Sequence, residues 1–243
     1  MLIGIAIAYI GCSNMSAQKT FTTNGVSFTM VYVQGGTFTM GATSEQGSDA
    51  YDDEKPTHSV TLSNYYIGET EVTQELWDAV MRDVNLTWDL ASSAYQVTGS
   101  QRPVCYVSWE NCQRFISKLN SLTGQRFHLP TEAQWEYAAR GGNKSRGYKY
   151  SGSNDIGSVA WYWGNTDARG SHDVKTKAAN ELGIYDMSGN IAEWCQDYYC
   201  DRNDAHVIRG GHFGNYARNC RVSCRSWVVT TNHYYTVGLR LAL

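Results

Sequence analysis

Apolar and polar positions along this chain change period several times. Residues 28–33 (FTMVYV) alternate as a half-buried strand does, and residues 35–41 (GGTFTMG) read as a turn into a second strand. A further strand is expected at 59–62. Helical spacing then takes over: Leu76, Ala79 and Val80 share a face behind the N-cap Thr73. Cys112, Phe115, Ile116 and Leu119 do the same in a second helix, whose N-cap Ser108 closes a short strand expected over 103–109. The third helix has the clearest start. Thr131 and Gln134 form a capping box, Trp135, Ala138 and Ala139 make the buried face, and Gly141-Gly142 ends it. Glu136 and Arg140 stand one turn apart on it, as a structural ion pair would. Residues 85–101 are polar and aperiodic. Trp161, Tyr162 and Trp163 cluster as core or as a sugar-stacking platform, with core the expectation.

One stretch fits neither period. Residues 183–194, GIYDMSGNIAEW, place two glycines, an amide and two acids ahead of an anchoring Trp194. Gly189-Asn190 suits neither a helix centre nor a plain strand. A tight loop with carbonyls pointing inward between Asp186 and Glu193 offers the oxygen set that calcium takes. An Asx-type turn feeding a buried Trp accounts for the same residues and is favoured on chemistry alone.

This stretch resembles the GLYDMSGNVWEW signature of the formylglycine-generating enzyme (sulfatase-modifying-factor) family. Other parts of that pattern follow in order: GGTFTMG at 35–41, DEKPTHSV at 53–60, LPTEAQWEYAARGG at 129–142, and the RGG, CR and GLRL elements after residue 208. The resemblance runs from about residue 28 to 243. It implies an α+β, irregular C-type-lectin-like fold with few regular elements and long loops. It also implies a structural calcium held by the Asp186 and Glu193 side chains and the Gly189 and Ile191 carbonyls. A Cys195–Cys220 disulfide is a further implication. Catalytic relatives oxidise a sulfatase cysteine to formylglycine with copper(I) on two cysteines, soft ligands suited to that ion. The first of those positions falls at Asn215 here, and the second falls on Cys220 or nearer Ala217. In a strand, Cys220 and Cys224 would stand about 13 Å apart at ~3.3 Å per residue, too far to share a metal. No copper and no formylglycine-generating activity are therefore expected.

Composition narrows the setting. The chain has 243 residues and a net charge of −3, which gives no electrostatic reason for nucleic acid as a partner. Residues 2–10 form an apolar run of signal-peptide length, too short to span a bilayer. Residues 1–17 thus read as a leader, with either cleavage after Ala17 or a lipoprotein anchor at Cys12. Export to the periplasm or cell surface is the expectation, with any membrane contact made only through that lipid. Setting Cys12 aside leaves six cysteines, an even number that suits an oxidising compartment.

The segment 212–237 is chemically miscellaneous between framework-like neighbours. It resembles the C-terminal variable region of retroelement-diversified proteins, which share this fold. The resemblance implies a binding surface of His212, Phe213, Asn215, Tyr216, Trp227, Val228, Asn232, His233, Tyr234 and Tyr235, facing an unknown protein or glycan. Large aromatic side chains suit that task because they give area at low entropic cost. The expectation is a non-catalytic binding module first, a degenerate paralogue second and an active oxidase third.

Overall fold

The computed structural model describes residues 17–82 and 95–243. The expected leader, Cys12 and most of the polar stretch 85–101 lie outside them.

Among the described residues, nine short strands form three sheets, accompanied by five α-helices. β1 (Gln18–Thr23), β2 (Val26–Val33) and β5 (Tyr65–Gly68) form an antiparallel sheet in the order β1-β2-β5. The fold thus begins ahead of residue 28, because all six residues of β1 pair in register with β2, from Gln18↔Val31 to Thr23↔Val26. β3 (Gly36–Met40) and β4 (His58–Leu62) make a separate hairpin. The third sheet runs β8-β7-β6-β9, from β6 (Ala192–Tyr198), β7 (Ala205–Arg209), β8 (Arg225–Val229) and β9 (Val237–Gly238), with β9 parallel to β6. The chain's last residues close the first sheet: Tyr66 and Leu243 exchange both backbone hydrogen bonds at 2.9 Å, and Gly68 N donates to Leu241 O.

The helices start where their caps direct. Thr73, Ser108 and Thr131 accept from Leu76, Asn111 and Gln134 backbone N–H groups and open α1 (Gln74–Met81), α2 (Trp109–Thr123) and α3 (Glu132–Ala139). Trp77 of α1 stacks on Phe115 of α2 with ring centroids 4.8 Å apart, which fixes these two helices against β2. Trp135 and Ala138 of α3 pack with Val33, Ile67, Cys195 and Val207 between the first and third sheets. Two one-turn helices, α4 (Ile156–Val159) and α5 (Trp163–Thr166), follow in the loop region.

Several expectations need correction. Residues 103–109 are not a strand: Tyr106 sits at φ 60, and backbone bonds run instead to Val72, Tyr234 and Thr230. All six cysteines in the described residues are free. Cys195 and Cys220 do not pair, because strand alternation turns Cys195 into the core around Trp135 while Cys220 packs on Tyr150 and Val159. Cys220 ends a 3-10 turn (Ala217–Cys220), and Cys224 N then bonds back to Arg221 O, so the extended geometry behind the 13 Å separation is absent. The Trp161–Trp163 cluster is not core. Trp161 stacks on His172 at 3.7 Å with Lys177 above it, and Trp163 is 48% exposed.

Candidate functional site

The C-terminal segment leaves β7 through Gly210 and Gly211, at φ 90 and 70. A Cβ on Gly211 would lie 2.7 Å from Asn219 O and 3.0 Å from Cys220 Sγ, so only glycine lets the segment fold back this closely. The loop then locks on itself. His212 N donates to Asn215 Oδ1 (3.1 Å), Gly214 N to His212 Nδ1 (3.1 Å) and Asn215 N to His212 O (2.8 Å).

This loop walls a cleft of about 370 Å³, lined by His212, Asn215, Asn219, Cys224, Arg225 and Ser226 on one side and by Tyr51 and Asp53 on the other. Tyr51 and Asp53 come from the acidic run 49–54, which reads in sequence as a solvated loop. The missed signal is Glu54: it is 3% exposed and bonds to both outer nitrogens of buried Arg221 at 2.7 and 2.5 Å. Arg225, placed by its bidentate grip on Glu132 (2.8 and 2.6 Å), closes the cleft.

Beside the charged Arg225 and Asp53, the imidazole and thiol of the cleft are held neutral. Burial pushes His212 down to about 4, so the imidazole is uncharged at neutral pH. Burial likewise pushes the Cys224 thiol up to about 11 and the Cys220 thiol higher still, the latter helped by the neighbouring Cys224. A nucleophilic or metal-binding thiol needs the opposite shift. Asn215 supplies an amide bonded to its own loop.

The proposed binding residues fall into distinct groups. Tyr216, 60% exposed, stands on the cleft rim with Trp163, ring centroids 5.2 Å apart, and Trp163 N donates to Asn215 O. Trp227 lies on the outer face of β8 with Arg202 3.9 Å above its ring. Asn232, His233 and Tyr234 are exposed beyond it, and Tyr235 stacks on Tyr106 at 4.3 Å. Two residues do not belong to any surface. Phe213 is 0% exposed among Val97, Cys105 and Ile191, drawn in by the bond from its N–H to Asn190 O. Val228 is 7% exposed, because alternation along β8 sends it inward where Trp227 points out.

The acidic loop lies behind this segment. Asp186 and Asn190 both take φ 59, and Gly189 takes φ 77 with its N–H on Gly210 O. Glu193 meets three donors: the Arg240 Nε–H shared between Oε1 and Oε2, Arg240 Nη2 on Oε1, and Trp135 Nε1 on Oε2 at 2.6 Å. Asp186 Oδ2 accepts from Lys175 N (2.8 Å), while its buried Oδ1 has no partner. Glu71, which carries no local signature in the sequence, is 1% exposed and accepts from Ile191 N (3.1 Å) and Asn190 Nδ2 (2.7 Å). Burial and then the charges of Asp186 and Glu193 hold Glu71 well above the usual carboxylate range; burial raises Asp186 to about 6. An orphaned carboxylate oxygen beside a second buried carboxylate fits a hard cation.

Comparison with known proteins matches this architecture. The family model for the sulfatase-modifying factor enzyme 1-like domain matches residues 16–243. Treponema denticola variable protein 1 superposes with a TM-score of 0.80 at 31% identity, covering 94% of this chain and 99% of that one. The chaperone protein LppX of Paenibacillus barcinonensis is 31% identical over 275 residues, 91% of either chain. The formylglycine-generating enzyme of Streptomyces coelicolor is 27% identical over 284 residues, 87% of this chain and 88% of that one. The chain belongs to the sulfatase-modifying-factor (formylglycine-generating enzyme) family and has its irregular α+β, C-type-lectin-like fold.

Proposed function

We propose that this chain is an exported, non-catalytic ligand-binding member of the family, which presents the surface of its 212–237 segment to a protein or glycan. The observation that carries the reading is the cleft itself. Its chemistry is amide, hydroxyl, carboxylate and guanidinium, with an uncharged His212 and a thiol held protonated, where a copper oxidase needs two thiolates side by side. Around it stand Tyr216, Trp163 and Trp227, exposed rings on a braced framework, an arrangement that gives contact area with little entropy to lose. The likeness to a variable protein at 31% identity supports a binding role for the same segment. Export rests on the apolar run at residues 2–10, with a free or lipid-anchored form at the cell surface or in the periplasm.

The test has two arms. Sequencing downstream of the gene in several isolates is expected to find a reverse transcriptase and a near-copy of the 212–237 coding segment differing mainly at adenines. Copper(I)-loaded protein incubated with a cysteine-containing sulfatase peptide is expected to yield no formylglycine. Formylglycine production would overturn the non-catalytic reading. Absence of the near-copy would leave a fixed-ligand binding domain and remove diversification.

A further inference from the structure

Arg102 is held by one nitrogen and idle at the other two. Its Nη1 donates to the carbonyls of Gln96 and Ser171, and 23% of its side chain is exposed. Among the described residues, Nε and Nη2 have no hydrogen-bond acceptor. Asp173 Oδ1 stands 3.9 Å from Nε, beyond hydrogen-bond reach. Nε and Nη2 share one edge of the planar guanidinium, and such an edge forks onto an oxyanion. The two carbonyls on Nη1 fix the plane, so little entropy is lost when the open edge binds.

Arg102 lines a cleft of about 240 Å³ with Thr166, Asp167, Arg169, Ser171 and His172. That volume suits a chemical group rather than a drug-sized ligand, whose pockets start at about 300 Å³. Arg169 brings a second guanidinium, 74% exposed and paired loosely with Asp167 at 3.8 Å. The Ser171 hydroxyl is buried and has no partner among the described residues, a cost that a bound acceptor removes. His172, stacked on Trp161, reports the local field. Burial lowers its pKa first, and the charges of Arg102 and then Lys177 lower it further, against a smaller opposing effect of Asp173. Arg102, Arg169 and Lys177 thus stand against Asp167 and Asp173, and the balance is positive.

We propose that this cleft is a subsite for a tetrahedral oxyanion, a sulfate or phosphate group, forked by Nε and Nη2 of Arg102 and covered by Arg169. A carboxylate spends both oxygens on the fork, whereas a tetrahedral group keeps others for Arg169 and the Ser171 hydroxyl. The subsite does not depend on the ligand-binding reading of the C-terminal segment. α5 nevertheless links the two places. It begins at Trp163 on the rim and ends at Thr166 in this cleft, about 6 Å further on at ~1.5 Å per residue. Thr166 Oγ1 also donates to Phe213 O at 2.7 Å.

Sodium sulfate, phosphate and acetate, titrated separately into the full-length protein against sodium chloride at matched ionic strength, test it. The readout is the arginine Nε–H signals in proton–nitrogen correlation spectra. The sequentially assigned Arg102 signal is expected to shift saturably with sulfate or phosphate and not with chloride. Arg169→Gln is expected to weaken that binding about threefold or more, and Asp173→Asn, which removes a nearby carboxylate, to tighten it. Both positions are exposed, so neither variant puts folding at stake. Saturation by sulfate alone supports the proposal with a sulfate ester as the source, and saturation by phosphate alone supports it with a phosphoryl group. Acetate binding as tightly as either overturns the tetrahedral assignment. Failure of both oxyanions to saturate in the millimolar range overturns the subsite, as does unchanged affinity in Arg169→Gln or weaker binding in Asp173→Asn.

Discussion

Arg221 and Glu54 meet through two parallel hydrogen bonds of 2.7 and 2.5 Å, with neither side chain exposed. The pair ties the C-terminal segment to the acidic loop, and Ser223 Oγ and Tyr51 N also donate to Glu54. Tyr51 and Asp53 therefore face the cleft because an ion pair behind them holds their turn. Removing one partner leaves a buried charge alone. Glu54→Ala is expected to cost about 3–5 kcal/mol in urea denaturation, and adding Arg221→Met should return part of that. Burial pushes the Glu54 carboxyl up, but Arg221, Ser223 and the Tyr51 N–H outweigh it, so the net value lies below 4.5. The sign follows: the unfolded chain binds the proton first, so this stability is present above about pH 4.5 and lost as pH falls through the lower folded value. A wild-type pH profile lacking that acid-side loss relative to Glu54→Gln would refute the coupling.

Phe213 and Tyr216 separate packing from recognition within one short loop. Phe213 is fully buried against Ile191 and Val97, and Tyr216 is 60% exposed. Phe213→Ala is expected to cost about 3–5 kcal/mol. Tyr216→Ala should stay within about 0.5 kcal/mol of wild type. Chemical denaturation of both variants checks this. Equal losses would mean that the rim aromatics are structural and that the surface reading of this segment is wrong.

Much of this was legible in the sequence, for physical reasons that differ from element to element. Thr73, Ser108 and Thr131 announced their helices because capping is local chemistry, decided within four residues. The Glu136–Arg140 pair at helical spacing forms at 2.8 Å, as the period implied. What the period could not show is that Glu136 also receives Gly41 N and Arg209 from distant elements. The same holds for Glu71, which reaches Asn190 across 119 residues. Residues 103–109 read as a strand, yet the left-handed turn at Tyr106 breaks them, and Tyr106 N bonds to Tyr234 O instead. Long-range satisfaction of polar groups, rather than periodicity, decides the irregular half of this fold, and it leaves little local trace.

Gly189 is the position where the central loop tolerates least. It takes φ 77, and a Cβ there would stand 2.3 Å from Trp161 O, with which the loop forms a parallel bridge. Gly189→Ala must both occupy the left-handed region and push the Trp161 strap away. The φ contributes about 1–3 kcal/mol by itself. The expected outcome is a loss at the upper end of that range or beyond, measured by thermal unfolding. Gly25→Ala supplies the control: φ is 85, but nothing lies within 4 Å of its Cβ. If the two variants lose equally, backbone strain alone accounts for the effect and the close approach to Trp161 adds nothing.

His212 gives the cleft a pH signature of its own. Burial lowers its imidazole to about 4 from 6.5, and the acceptor role of Nδ1 toward Gly214 N holds one tautomer in place. Between those two values the unfolded chain carries the proton and the folded chain does not. Stability must therefore fall as pH drops from about 6.5 to about 4, by about 3 kcal/mol over the full window, and be flat above it. Asp186, raised to about 6, titrates with the opposite sign in the same range, so wild type alone would blur the two. Subtracting the profile of His212→Asn, whose amide oxygen can accept the same N–H, cancels every other group. The difference curve is expected to show the full loss between pH 6.5 and 4. A flat difference would mean that the ring protonates freely in the folded protein, adding a second positive charge to Arg225 in the cleft below neutral pH.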